Sequence, residues 1–548
     1  MPSTANPLAR LGNLLRDEKS EISAVYFYAL LSGLIQLSLP LGIQSIIGFV
    51  LGGAMSTSLV VLIIIVVLGV ACNGLLQLSQ MRLIERIQQK VFVRYSFAFT
   101  HHLPRLNLQG LDSYYLPELV NRFFDIPILQ KSLSKILLDF PIAITQILLG
   151  LLLLSFYHPA FIAFGFFLLL ILTGIFFITG NRGFQTSLEK SSHKYSVAAW
   201  LEEMARVIKQ FKFFRHTGLH ADRSDKRITS YLDARTAHFR ILLLQYKVLI
   251  AFKVLITAAM LIVGCFLLLE QQINIGQFVA AEIVIIIVIN SVEKLIVNLD
   301  SVYSALTSVE KINKLLDKPV EKEGSFTVDR VPLSLQLTNI SFGYDSESPI
   351  LNKLSFTLPA GEKLGMQGPN GSGKSTLLRL LTGAYTGFTG SLLINEAPIG
   401  NYDLQSLRAN TGIVLSQEDI FAGTLWENLT MNNQHLDRSY VLELCRRTGL
   451  QAFVTTLKEG FDTELHPGGR QLSRGIIQRI LLVRAMASKP GLLLLEEPMA
   501  GIEGADSDSI RELILSLPNT TVVAATNNTD FLNGCQHRIS LLPNVSGQ

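Results

Sequence analysis

Long, predominantly apolar runs alternate with charged segments over the first part of the chain, at 22–51, 58–81, 136–157, 161–179, 243–269 and 275–297. Each approaches or exceeds the roughly 20 apolar residues that a helix needs to cross a bilayer, so six spans are predicted. The first is too long for the apolar stretch of a secretory signal, which runs about 7 to 15 residues before a small-residue cleavage site. Beyond residue 331 the pattern changes. Residues 333–340 alternate apolar and polar as a half-buried strand does, 492–495 read as a strand buried in a parallel sheet, and 521–525 read as another strand. Between the two regimes, 317–331 is charged and proline-containing (Lys318, Pro319, Glu321, Lys322, Glu323) and marks a linker. The expected layout is an N-terminal segment at 1–21, an all-α six-helix transmembrane domain with helical extensions at 22–316, the linker, and an α/β domain at 332–548.

Composition points the same way. Charged residues make up 16% of the 548, against about 25% in an average soluble protein, and the mean hydropathy is +0.37. The formal net charge of +4 matters less than its placement. Lys and Arg crowd 82–135 and 182–240 and are missing from the turns 52–57, 158–160 and 270–274, so the long segments and both termini are expected on the cytoplasmic side. The lipid bilayer is thus one expected partner, and nucleic acid is not. Cys72, Cys265, Cys445 and Cys535 lack metal-ligand or CxxC spacing and read as buried thiols.

In the cytoplasmic extensions, Leu116, Leu119, Val120 and Phe123 recur at helical spacing, with Glu118, Arg122 and Asp125 expected on the other, polar side. At 198–209, Trp200, Met204, Val207 and Ile208 are expected to form an apolar stripe beside Glu202, Glu203, Arg206 and Lys209. Either stretch reads as an amphipathic helix or as a docking surface for the second domain. Within the spans, Lys247, Lys253, Glu282, Asn290 and Glu293 are expected to face the bundle interior, because an ionisable group in lipid is costly unless paired. Counting about 1.5 Å per residue from the outer ends of the last two spans sets Lys253 level with Asn290 and Glu293. A Lys253–Glu293 pair is therefore expected, as a structural contact or a substrate contact, while Lys247 and Lys294 can also snorkel to the interface.

The chemistry centres on Gly368-Pro369-Asn370-Gly371-Ser372-Gly373-Lys374-Ser375, which follows the apolar stretch 363–367 and precedes a helix-like run, 376–381, beginning at Thr376. The glycines free successive backbone N–H groups to face phosphates, Lys374 supplies a point charge, and the Ser375 hydroxyl can ligate Mg²⁺. Further on, 492–495 delivers two carboxylates, Glu496 and Glu497, at the C-terminal end of a strand. Upstream, Tyr344 stands where a ring could stack on a base.

The order Tyr344, phosphate loop, Gln417, Leu472-Ser473, Glu496-Glu497 resembles an ATP-binding cassette domain, and with six spans on the same chain it resembles a half-transporter of the ABC exporter class. The segment around Gln417, with 420–428, is similar to that of bacterial exporters, and Gly276-Gln277-Phe278-Val279-Ala280 at the start of the last span is similar to the same position in type I protein-secretion and peptide exporters. Those relatives often carry an N-terminal peptidase domain, which is expected to be missing because the first span starts at about Ile22.

The resemblance implies ATP and Mg²⁺ as cofactors. It implies nucleotide contacts from Tyr344, the loop 368–375 and Thr376, and, across a dimer, from Ser473 and Gly475. Metal placement would fall to Ser375, Gln417 and Glu496, and catalytic roles to Glu497, Gln417 and Asn527. Four places depart from the family pattern: Leu472-Ser473-Arg474-Gly475-Ile476 replaces Leu-Ser-Gly-Gly-Gln, Asn527 stands at the switch histidine, Glu496 replaces Asp, and Glu503 replaces Asp in the D-loop place Gly501-Ile502-Glu503. The expected function is an ATP-driven exporter subunit of a bacterial inner membrane, working as a homodimer or a heterodimer with a second half-transporter, with a periplasmic adaptor as a further candidate partner. The alternative is an ATP-binding, weakly hydrolysing regulatory or channel-like subunit, or a degenerate partner of a heterodimeric exporter. Lipid, peptide and protein all stay open as the transported substrate.

Overall fold

In the computed structural model, which describes residues 6–52, 57–110, 116–214, 217–329, 331–344, 349–415 and 420–542, six helical stretches are long and apolar enough to cross a membrane. They are Lys19–Leu51, Thr57–Arg105, Leu116–Tyr157, Phe161–Arg206, Leu219–Leu269 and Ile275–Leu316. Lipid offers no partner to backbone N–H and C=O groups, so an apolar span has to satisfy them internally as a helix. The first stretch is two helices, Lys19–Gln36 and Ser38–Leu51, joined at Leu37 with Pro40 just beyond the break. Others run far past their apolar windows. Thr57–His102, Ala160–Arg206 and Leu219–Leu269 have 46, 47 and 51 residues, or about 70 to 77 Å at about 1.5 Å each, more than twice the hydrocarbon thickness.

The helical unit comprises Met1–Arg105 and Ser113–Lys318. Its core is a run of small and branched apolar side chains, including Ala143, Leu249, Ile256, Ala281, Val284 and Val288. Several polar side chains inside it are paired, as expected where lipid offers no alternative. Gln146 bonds Gln36 and accepts from Ser291 Oγ at 2.6 Å. Gln245 Nε2 donates to Thr179 Oγ1 at 2.7 Å and to Tyr303 OH at 2.9 Å. Lys253 Nζ meets Glu293 Oε2 at 2.5 Å, as the span count anticipates. Glu282 is half-buried, whereas Lys247 and Asn290 lie on the exposed surface of the single subunit.

Three further expectations are corrected. Arg122 and Asp125 are buried, at 6% and 2% exposure, and not on a solvent face. Arg122 sits 3.7 Å from the Tyr195 ring centroid, and Lys194 pairs with Asp125 at 3.2 Å, so a distant helix supplies partners that the local pattern does not reveal. In the second stretch Trp200 is buried but Ile208 is exposed, because the long helix ends at Arg206 and Val207 takes φ −110°, ψ 34° before a new helix, Ile208–Phe213. Of the four cysteines only Cys445 and Cys535 are buried; Cys72 and Cys265 lie on exposed helix surfaces in the apolar runs.

The second unit comprises Leu106–Asp112 and Pro319–Gln548. Its first piece is tied in by a bridge from Leu106, 3% exposed, to Val320 and by the Asn107 N–H donating to Pro319 O at 3.0 Å. Among the described residues it contains eleven strands: β1 Leu335–Phe342, β2 Leu351–Leu358, β3 Lys363–Gln367, β4 Thr389–Ile394, β5 Ala397–Pro398, β6 Thr411–Val414, β7 Gly423–Thr424, β8 Glu464–Leu465, β9 Leu492–Glu496, β10 Thr521–Ala525 and β11 His537–Ser540. An antiparallel sheet, β2-β1-β4-β5, accompanies a parallel one, β11-β3-β10-β9-β6, and β7 pairs with β8. The apolar interior of β9 and β10 explains their central place, since parallel strands are covered on both faces. Their register sets Ala525 beside Met366 on one side and beside Glu496 on the other. The loops leaving the C-terminal ends of β3, β9 and β10 therefore emerge at one edge of the sheet, where open α/β sheets bind ligands.

Candidate functional site

The loop 368–375 leaves β3 and enters the helix Lys374–Leu381 through Gly373, whose φ of 92° makes it a left-handed cap. A Cβ there would also come within 2.7 Å of Leu351. Glycine is required on both counts. At the other end, a Cβ on Gly368 would collide with Leu541 O. Lys374 Nζ donates to Gly368 O at 2.5 Å and to Pro369 O at 2.9 Å, so its ammonium braces the loop from inside.

Beside the loop lies a cavity of about 230 Å³, lined by residues 370–376, Ile350, Glu496 and Glu497. Ser372 Oγ is buried and has no hydrogen-bond partner among the described residues. An unpaired buried hydroxyl in a glycine cradle is what an anionic ligand would satisfy. Ser375 Oγ donates to Glu496 Oε1, so a hydroxyl and a carboxylate share one edge of the cavity. Two hard oxygens so placed fit a Mg²⁺ accompanying phosphates.

Glu497 follows directly and has φ +44°, unusual for a residue with a side chain. Its N–H donates to Ala525 O at 2.8 Å, and its carbonyl accepts from Gln478 Nε2 at 3.2 Å. Its carboxylate oxygen Oε2 accepts from Thr526 Oγ1 at 3.0 Å. Asn527 turns its Oδ1 to the Gly368 N–H, 3.4 Å away. Tyr344, 39% exposed, packs edge-on against Phe342 and Tyr385 at centroid distances of 5.4 and 5.6 Å, with its hydroxyl 3.4 Å from Thr376 Oγ1.

Ser473 and Gly475 do not line this cavity. Ser473 caps the helix Arg474–Met486, its Oγ accepting from the Ile476 N–H at 3.3 Å, and a Cβ on Gly475 would strike Gly501 O. Arg474 is exposed at the first position of that helix. Gln417 lies outside the described residues. Sequence reasoning passed over Ser372 as a separate buried donor, and over Thr526 and Gln478. Neither carried a signal in local spacing: Thr526 reaches Glu497 only because β10 lies beside β9, and Gln478 comes from a separate helix.

Two family profiles match the sequence, one described as ABC transporter over residues 351–500 and one as ABC transporter transmembrane region over 22–292. Among characterised relatives, the α-hemolysin translocation ATP-binding protein HlyB of Escherichia coli is 27% identical over 59% of this chain and 45% of its own length. An uncharacterised ABC transporter ATP-binding protein of Bacillus subtilis, YfiC, is 31% identical over 41% of this chain and 38% of its own. An ATP-dependent lipid A-core flippase of Saccharophagus degradans is 27% identical over 44% and 40%. The matches thus span less than half the length of these relatives. A solved bacterial Atm1-family ABC exporter with ATP bound shares the fold, with a TM-score of 0.83 over 96% of this chain and 94% of that one, at 19% identity.

Proposed function

Because the chain belongs to the ABC transporter family, with the transmembrane region and the cassette on one polypeptide, we propose that it is an exporter half-transporter coupling ATP binding and hydrolysis to movement of a substrate out of the cytoplasm. The observation that carries this reading is the juxtaposition of Ser375, Glu496 and Glu497 on one edge of the phosphate cavity. Backbone amides of 370–376 and the Lys374 ammonium neutralise the phosphates, and Tyr344 offers its ring to the base. Ser375 and Glu496 would hold Mg²⁺, which would offset charge on the phosphates. Glu497 orients the attacking water and accepts its proton. Gln417 would complete the metal and water contacts.

Two copies, or this chain and a second half-transporter, would sandwich each nucleotide between one phosphate loop and the other subunit's Ser473 and Gly475. The site on this chain has both carboxylates, which supports turnover over mere nucleotide binding. The six spans would lie in a bacterial inner membrane with both termini cytoplasmic.

Phosphate release from the purified protein in lipid vesicles tests the reading. Wild type is expected to release phosphate with Mg²⁺ present, Lys374→Ala to lose nucleotide binding, and Glu497→Gln to bind ATP while turnover falls by orders of magnitude. Unimpaired turnover in Glu497→Gln would remove the catalytic assignment.

A further inference from the structure

We infer that Thr526, not Asn527, positions the Glu497 carboxylate for hydrolysis in this chain. Thr526 is 1% exposed and held on three sides. Its N–H donates to Met366 O at 3.0 Å on β3, its Oγ1 accepts from the Asn528 N–H at 3.2 Å, and the same Oγ1 lies 3.0 Å from Glu497 Oε2. A hydroxyl has one proton and two lone pairs. An ionised carboxylate can only accept, so the hydroxyl proton goes to Glu497 Oε2. The Asn528 N–H takes one of the two lone pairs of the hydroxyl and holds its oxygen in place.

The remainder of Glu497 is equally constrained. Its N–H and C=O are taken by Ala525 and by the buried Gln478, and the backbone sits in the left-handed region. That conformation is unfavourable for a residue with a Cβ and persists where the surroundings over-determine it, a pattern that concentrates at working sites. The Thr526 bond to Oε2 fixes the rotation of a carboxylate that belongs to the lining of the cavity. Asn527 is exposed and spends its carbonyl oxygen on the Gly368 N–H. It attends to the phosphate loop, and the carboxylate is held by its neighbour.

The inference rests on Glu497 being the group that takes the proton, and the test separates the two claims. Steady-state ATPase kcat and KM are measured in lipid vesicles for wild type, Thr526→Val, Thr526→Ser, Asn527→Ala and Glu497→Gln, with fluorescent-nucleotide binding as the check on folding. Val keeps the shape and removes the donor; Ser restores it. The expected result for Thr526→Val is a kcat lower by about tenfold to a hundredfold, the usual cost of losing an orienting partner, with KM for ATP within about twofold. Thr526→Ser should recover most of the loss, and Asn527→Ala should raise KM more than it lowers kcat. If the Val protein fails to bind nucleotide, Thr526→Ala takes its place with the same expectation. Wild-type kcat in the donor-less variant, equal losses in Val and Ser, or a larger kcat loss in Asn527→Ala would each overturn the inference. If Glu497→Gln is inactive and Thr526→Val is normal, only the positioning role falls. If Glu497→Gln turns over normally, the catalytic reading falls with it.

Discussion

The Ser375 hydroxyl donates to the Glu496 carboxylate across the edge of the phosphate cavity, joining the first turn of the helix after the loop to the last residue of β9. The Glu496 side chain, one methylene longer than an Asp, reaches the hydroxyl directly, and a hydroxyl and a carboxylate oxygen are brought together.

Removing the charge from this pair should raise the metal requirement. Glu496→Gln is expected to shift the Mg²⁺ concentration for half-maximal hydrolysis upward by about tenfold or more, as loss of a metal partner generally does. A Mg²⁺ titration of ATPase rate checks this, and an unmoved midpoint would count against Glu496 as a metal-site residue.

Arg474 occupies an exposed helix start, with its Cβ 3.2 Å from where a Cβ on Gly501 would sit. The family has glycine at this place, which lets backbone N–H groups approach a nucleotide without a side chain intervening. Arg474→Gly is expected to speed hydrolysis several-fold, and Asn527→His to add to it. ATPase rates of both single variants and the double variant decide the matter: a large loss on Arg474→Gly would assign the guanidinium a stabilising role like that of an arginine finger.

Lys253 and Glu293 join the fifth and sixth spans, each side chain about a third exposed. Lys253→Met or Glu293→Gln alone should lower stability in detergent by on the order of 1 kcal/mol, the scale of polar contacts between membrane helices. The charge-swapped pair, Lys253→Glu with Glu293→Lys, should recover part of it. Thermal unfolding of the four proteins tests the coupling; additive losses would mean the two residues do not act as a pair.

Burial pushes the Cys445 thiol up to about 12 and the Cys535 thiol up to about 11. Free thiols ionise near 8.5. Since the folded values lie above the unfolded ones, this contribution to stability is whole below about pH 8.5 and is lost as pH climbs toward the folded values. Iodoacetamide at pH 8 should spare both thiols in the folded cassette and modify them on unfolding. Replacing Cys445 with Ala should reduce the alkaline loss of stability, as measured by denaturation at neutral pH and near pH 10.

Where a single segment determines the outcome, the sequence was legible. The phosphate loop is flanked by a strand at Lys363–Gln367 and a helix from Lys374, β10 covers 521–525 as expected, and simple rise per residue matched Lys253 with Glu293. Where a partner from elsewhere decides, it was not. Arg122 and Asp125 look like a solvent face until Tyr195 and Lys194, far along the chain, cover them. The contact of Thr526 with Glu497 likewise needs the pairing of β9 and β10, which no local spacing encodes.

The nucleotide unit is not one continuous piece of polypeptide. Leu106 and Asn107 are fastened to Val320 and Pro319, and they are synthesised before the whole of 113–318 has been made. During translation a fragment of the cassette therefore exists long before the body it belongs to. A cassette freed by cutting at Lys318 would be missing a part that was made first.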